Sequence, residues 1–455
     1  MQLGRLTVKP TGQNGAMRLT STSTSTSTST STSTSTSFHA DLSTGVGGGI
    51  GDAPAVAPCP RARGAAHQAW RAAWLAVVTL MVFHFGAHAA VLRVGPGQLY
   101  QRVADAIAAA QDGDTVRIAP GTYRGDVALI KQRRLTLEGE AGQPRPVLEA
   151  AGQAVEGKAI WVVRQGQIVV RHLEFRGARV AGGNGAGIRF EGGLLRVENC
   201  LFTDNQMGLL TSNDGDAELD IESSEFSAAP REPGSLHHLL YVGRIKRFSV
   251  RGSHFHGGYL GHLIKSRARQ STIEYNLIND GPQGRASYEI DLPNGGLAIV
   301  RGNLIGQSAD TDNPVMVAFG AEGQPWPDSR LLMSHNTLHN ALRQGAPTTW
   351  FLRSWPERLP EGATVRAVNN LALGTGQFSA GTATASDGNR VWADAPSAPG
   401  QHGFKLPMDS PWFGSATDPQ HLAGDDALLR AEPTPPLGWR ALLPPARWTP
   451  GALQR

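Results

Sequence analysis

The chain is short of cysteine, of long apolar runs and of any lasting charge excess, and each shortage excludes a class of protein. Two cysteines occur in 455 residues, Cys59 and Cys200. Cys59 falls in a leader described below, which leaves Cys200 alone and rules out an intrachain disulfide in the folded part. The apolar run from Trp74 to Phe85 spans about 12 residues, too few to cross a bilayer core of ~30 Å at ~1.5 Å per residue. The formal charge of +4 belongs to the leader. Residues 1–89 hold six Lys/Arg and two Asp/Glu, so subtraction from 42 and 38 leaves 36 of each sign in the rest. Binding to nucleic acid through net charge therefore loses its support. No His-x-x-x-His on a helix and no Cys-His spacing of a zinc site occurs. The GGNGAG run at Gly182 is not followed by a helix, which excludes a phosphate loop.

The leader has its own reading. Thr20 to Ser37 alternates Ser and Thr and holds no apolar residue to offset chain entropy. Arg61, Arg63 and Arg71 precede the apolar run, and Ala87-His88-Ala89 follows it as a small-x-small cleavage signal. The expectation is a low-complexity leader over 1–60, a secretory signal peptide over 61–89, and a secreted or periplasmic product without a membrane span. The alternative is an uncleaved N-terminal anchor.

What is abundant is glycine, 55 residues of it, and short strand-like runs. One tail recurs: VENCLF at Val197, IESSEF at Ile221, VRGSHF at Val250, IEYNLI at Ile273, VRGNLI at Val300, MSHNTL at Met333 and AVNNLA at Ala367. Its fourth residue is Cys200, Ser224, Ser253, Asn276, Asn303, Asn336 and Asn370 in turn. The spacing suits one solenoid rung with turns of varying length. The run of asparagines predicts an internal ladder, with Asn also tolerating a left-handed backbone at the turn. An antiparallel sandwich would show closer turn signals and no ladder. The fold expected is all-β, a single-domain right-handed parallel β-helix over 90–417, followed by an irregular tail over 418–455. From Leu99 to Gln111, Leu99, Val103, Ile107 and Ala110 share one helical face, which predicts a cap helix over the open N-terminal end. This helix and the GDTVRIAPGTY that follows resemble the opening of β-helix proteins of the pectate-lyase-like kind.

The rungs between Ser235 and Ile305 carry the chemistry. They hold His237, His238, His254, His256 and His262, half of the histidines beyond the leader. Equivalent residues of successive rungs lie about 4.8 Å apart, so outward side chains of neighbouring rungs form one patch. Tyr241, His262, Lys265, Arg267, Glu289 and Asp291 are the candidate catalytic residues, with His238 and Arg285 as candidate substrate contacts. Glu289 and Asp291, two apart, are expected on one strand face about 6.5–7 Å apart, a separation usable for glycoside hydrolysis. A plainer alternative pairs Lys265 with Asp291 or Glu289 as a solvated ion pair. His254 and His256, two apart, place two rings on one side of a strand, and imidazole is a common metal ligand.

The run GHLIKSRARQSTIEYN from Gly261 resembles the lysine rung of polysaccharide lyases of the chondroitinase B and alginate lyase type. The resemblance covers about 15 residues beyond the shared fold. It implies that Lys265 removes the C5 proton of a uronate, and that acidic residues hold a calcium ion on the substrate carboxylate. Two departures are plain. An arginine expected on the next rung is replaced by YEIDLPNGG, and Gly257, Gly258 and Leu260 stand where calcium ligands would be. Calcium is thus implied with no identifiable ligands. Elimination itself needs a cation on the carboxylate, a base at C5 and an acid at the leaving oxygen. Arg267 or Arg285 offers the first. Lys265, its pKa lowered by neighbouring cations, offers the second, and Tyr241 or His262 the third. The expected protein is a monomer acting on an acidic polysaccharide, by lyase-type elimination. The alternatives are a non-catalytic carbohydrate-binding β-helix and a β-helix glycoside hydrolase.

Overall fold

The computed structural model describes residues 89–342, 348–381, 385–395, 404–419, 421 and 424–454. The low-complexity and signal segments expected before residue 89 lie outside the described residues. No helix among the described residues is long and apolar enough to cross a membrane.

Strands of three to six residues recur in a fixed cycle and stack into three parallel sheets of twelve, ten and eleven strands. Leu240–Val242 lies in the ten-stranded sheet, Arg247–Arg251 in the twelve-stranded sheet and His254–His256 in the eleven-stranded sheet. Ile264–Ser266 then returns to the first of these, one rung on. This cycle is a parallel β-helix. Alternation of side chains in each strand sends one set inwards. Phe175, Phe202, Phe226 and Phe255, partners in register, stack in the interior with centroids 5.1, 4.7 and 4.9 Å apart, and Trp161 meets Phe175 edge-on.

The asparagine ladder forms between the twelve- and eleven-stranded sheets. Asn276 donates from its backbone N–H (3.0 Å) and its Nδ2 (2.9 Å) to Asn303 Oδ1, and its Nδ2 also donates to Val250 O (3.1 Å). The same three bonds link Asn303 to Asn336, Asn336 to Asn370 and Asn370 to Asn389. Ser224 Oγ accepts from Cys200 N–H and Ser253 Oγ from Ser224 N–H, and Ser253 N–H donates to Asn276 Oδ1 at the head of the ladder. The left-handed backbone lies one residue earlier than expected. Asn199, Ser223, Gly252, Tyr275, Gly302, His335, Asn369 and Gly388 have φ of 48–64°, and the ladder residues themselves do not appear among the positive-φ positions. The reversal occurs at the preceding residue, which aims the amide that follows inwards.

The α-helix Val103–Ala109 is shorter than the sequence pattern implies. Leu99 does not join it and is 87% exposed. Gln98 N–H closes a turn on Gly95 O, Tyr100 bridges to Val94, and Arg102 at the N-cap is extended. Asp126 accepts from the Val103 and Ala104 N–H groups, satisfying two free donors of the first turn. Val103, Ala106 and Ile107 face the apolar core.

The C-terminal residues form a small antiparallel pair, Ala431–Pro433 with Trp439–Ala441, and run back beside the ladder turn. Leu429, Ala431 and Trp448 pack on Tyr275, and Trp439 Nε1 donates to Glu222.

Candidate functional site

On the ten-stranded sheet each central rung carries two consecutive inward residues: Leu239-Leu240, Leu263-Ile264, Glu289-Ile290, Met316-Val317 and Phe351-Leu352. All ten are buried. The doublet interrupts the alternation of two, so residues on either side of it, three apart, both face outwards. One outward row in register is Tyr241, Lys265, Asp291 and Ala318. The other is His238, His262 and Tyr288, whose rings lie 4.7 and 4.8 Å apart. Asp291 joins the rows: its Oδ2 is 2.9 Å from Lys265 Nζ and 3.5 Å from His262 Nδ1.

Arg267, two residues beyond Lys265, faces the same way. Its guanidinium donates to Tyr241 OH (2.8 Å), Asn294 Oδ1 (2.7 Å) and Glu322 Oε2 (2.5 Å). The other Glu322 oxygen takes a bond from Lys265 Nζ at 2.5 Å. Two cations from one strand end thus converge on one carboxylate. Glu322 belongs to the insert AEGQPWPD, whose backbone is fixed. Glu322 N–H donates to Pro293 O, Asn294 Nδ2 to Gly323 O, and Trp326 Nε1 to Arg267 O. Arg244 covers the Trp326 ring at 4.1 Å. The Glu322 side chain itself is 41% exposed at the rim.

The electrostatics correct one expectation. Burial opposes charge on Lys265, but Asp291 and Glu322 outweigh it and hold its ammonium above the ordinary lysine range. The lysine is not primed as a base, because its neighbours are carboxylates as well as Arg267. Burial lifts the Asp291 carboxyl to about 6 against the pull of Lys265. Burial also drives His262 well below the usual imidazole range and His238 down to about 3, with Lys265 and Arg267 adding to both shifts. Both rings are therefore neutral at pH 7, and His238 Nδ1 accepts from His262 N–H at 2.8 Å.

Glu289 does not share a face with Asp291. It occupies the inward position held by Leu239, Leu263, Met316 and Phe351 on other rungs, is fully buried, and neither carboxyl oxygen has a hydrogen-bond partner. Burial, with Asp280 nearby, raises its pKa well above the carboxylate range. The doublet places it inside, and a two-carboxylate pair with Asp291 is not available. Arg285 is also set apart. It is half exposed, lies 3.7 Å from Asp312, and lines a separate recess with Arg231 and Asp310.

Sequence reading passed over Glu322, Asn294 and Arg189. Arg189 stands two rungs before Tyr241 in the same outward row, with its Nε buried and unbonded. Its signal was present in GIRFEGG, where it aligns with Tyr241. Glu322 carried only the weaker signal of one acid in an insert between strands. A calcium ion does not fit beside Lys265. Such an ion takes about six to eight oxygens, and Asp291 and Glu322 are already bonded to cationic side chains. A wider recess lined by Lys131, Arg133, Arg134 and Gln165 lies nearer the N-terminal rungs, but these side chains are largely exposed, so the buried charge cluster defines the candidate site.

No family model matches the chain, and no curated protein matches it by sequence. Among solved structures it is similar to pectate lyase Pel9A, with a TM-score of 0.54 at 14% identity, over 81% of this chain and 98% of that one. A Geobacillus virus E2 protein, ORF18, aligns at 13% identity over 64% of this chain and 57% of that one, with a TM-score of 0.42. The first likeness, with the three parallel sheets, shows the fold alone: a right-handed parallel β-helix.

Proposed function

We propose that the chain is an exported enzyme that cleaves an acidic polysaccharide by β-elimination at the Lys265 site. One observation carries this reading: Lys265 and Arg267 together grip a single carboxylate, that of Glu322, on the outer face of the solenoid. A uronate carboxylate offers the same two oxygens. The Glu322 side chain can rotate into solvent from its fixed backbone, leaving the two cations to the substrate. Negative charge builds on that carboxylate as the C5 proton leaves, so fixed cations lower the barrier there. Neutral His262 takes the C5 proton, a role the protonated Lys265 does not fill. The C4–O4 bond breaks as the C4–C5 double bond forms, and Tyr241 OH gives its proton to O4, with Arg267 Nε at 2.8 Å to stabilise the phenolate. Asp291 holds Lys265 and His262 in place, and His238 fixes the His262 rung from the other side. Pel9A is named a pectate lyase, which agrees with an acidic glycan, and the helix Val103–Ala109 serves as the cap of the first rung.

The charged groups of the cluster also pair with one another, which favours a second reading, a carbohydrate-binding β-helix in which the cluster is structural. Incubation with a panel of uronate-containing glycans separates the readings. Elimination yields unsaturated ends absorbing in the far ultraviolet. Reducing ends without that absorbance would replace elimination by hydrolysis, and binding with neither product would leave only the second reading.

A further inference from the structure

A second constellation lies on the eleven-stranded sheet, away from the Lys265 row. The strands Glu225–Ser227 and His254–His256 are parallel neighbours, with Glu225 opposite His254 and Phe226 opposite Phe255. The two phenylalanines point inwards and stack, so alternation turns Glu225, His254 and His256 outwards. The imidazoles of His254 and His256 stack with centroids 4.3 Å apart. His256 Nε2 leans diagonally to Glu225 Oε1 at 3.0 Å. One ligand atom from each residue lies within 4.8 Å of the other two.

We propose that Glu225, His254 and His256 bind one divalent transition-metal ion of the imidazole-preferring class, with Zn²⁺ the representative. Two imidazoles and a carboxylate form a recognised zinc donor set that leaves a fourth position for water. Tetrahedral bonds of about 2.0–2.2 Å put ligand atoms about 3.3 Å apart, so side-chain adjustments of an ångström or so close the site around an ion. Among the described residues no protein group hydrogen-bonds the His254 ring, whose ring neighbour is a second imidazole. The field of Arg145, whose guanidinium donates to Asn199 Oδ1 at 2.6 Å, reaches Glu225 and works against the ion.

The test is isothermal titration of the full-length metal-stripped protein with Zn²⁺, with Co²⁺ absorption in the visible as a coordination readout. One ion per chain is expected with a Kd of about 10 µM or tighter, and d–d bands of four-coordinate cobalt. His254→Ala and His256→Ala should each weaken binding about tenfold or more, and Glu225→Gln by a comparable factor, while His421→Ala, an exposed histidine elsewhere, changes nothing. Unchanged melting of the stripped variants guards against loss through unfolding. The assignment is overturned if Zn²⁺ binds no tighter than about 1 mM, or if the His254→Ala/His256→Ala double variant binds as the wild type does.

Discussion

The ladder turn and the Lys265 face are built on the same rungs and use opposite chemistry. At the turn the same uncharged amide recurs from Asn276 to Asn389, each bonded to the next and to backbone. In the Lys265 row of the ten-stranded sheet no two successive residues repeat: Tyr241, Lys265, Asp291 and Ala318 follow one another. Repetition satisfies every polar group with an identical neighbour and so costs little to bury. The face of unlike residues holds charges that satisfy one another only in part: Asp291 Oδ1 and His262 Nδ1 are buried without a hydrogen bond. Stability resides where the rungs agree, and the proposed chemistry where they differ.

The largest expected effect breaks the regular side. Asn303→Ala removes the acceptor shared by the backbone N–H and Nδ2 of Asn276, and the amide that serves Ile273 O and Asn336. Stranding several buried polar groups should cost about 3–5 kcal/mol in urea unfolding. Substitution of Lys265 by Ala belongs to the other side. Loss of one fixed charge at the developing anion should lower turnover by about 10²–10³, read from the unsaturated product, with less destabilisation than Asn303→Ala. Asp291, with a pKa of about 6, can take up a proton when its partner is removed. A Lys265→Ala chain of full activity would end the assignment of the site.

Glu289 tests the boundary between the two regimes, being an irregular residue at a regular inward position. Glu289→Met restores the kind of side chain found at Leu263 and Met316 and removes an unbonded buried carboxyl. The gain should be about 1–3 kcal/mol. Its pH dependence has a fixed sign. The folded pKa lies above the ordinary 4.5, so the folded chain keeps a proton that the unfolded chain releases. The wild-type contribution is fully present below about 4.5 and falls as pH rises towards the folded value. The advantage of Met should therefore widen from pH 4.5 upwards in paired unfolding curves. A constant advantage would place the carboxyl in contact with water.

The repeat and the ladder were legible because seven copies of one tail state them, and the inward phenylalanines follow from the same spacing. Lys265, Asp291 and Tyr241 were legible as a patch because rung alignment puts them in register, and Arg267 because it follows Lys265 by two residues. The inward doublet was not. Leu263-Ile264 reads equally well as one inward and one sheltered residue, and only Glu289 occupies the doublet with a residue type that argues against burial. The same ambiguity hid the outward pairing of His262 with Lys265, three apart. The charge state of Lys265 depends on Glu322, 57 residues away on an insert whose path no periodicity reveals. Leu99 misled for a simpler reason: it keeps helical phase with Val103, but the chain turns at Gly95 and enters the helix later.

The smallest effect is also the most direct probe of the irregular face. Glu322 is the internal carboxylate on Lys265 and Arg267, so a substrate carboxylate must compete with it. Glu322→Gln keeps the size of the side chain but removes its charge, and the insert stays anchored through Pro293, Asn294 and Arg267. Charge-assisted bonds are roughly twice as strong as neutral ones, so the glutamine holds the cations less firmly. KM should fall by about three- to tenfold, equal to roughly 0.7–1.4 kcal/mol, with kcat nearly unchanged. Lys265 loses one of two raising partners in this variant, while Asp291 still keeps it charged. A rise in KM would mean that Glu322 touches the substrate itself, and the carboxylate now bridging Lys265 and Arg267 would be part of the binding surface instead of a stand-in for the ligand.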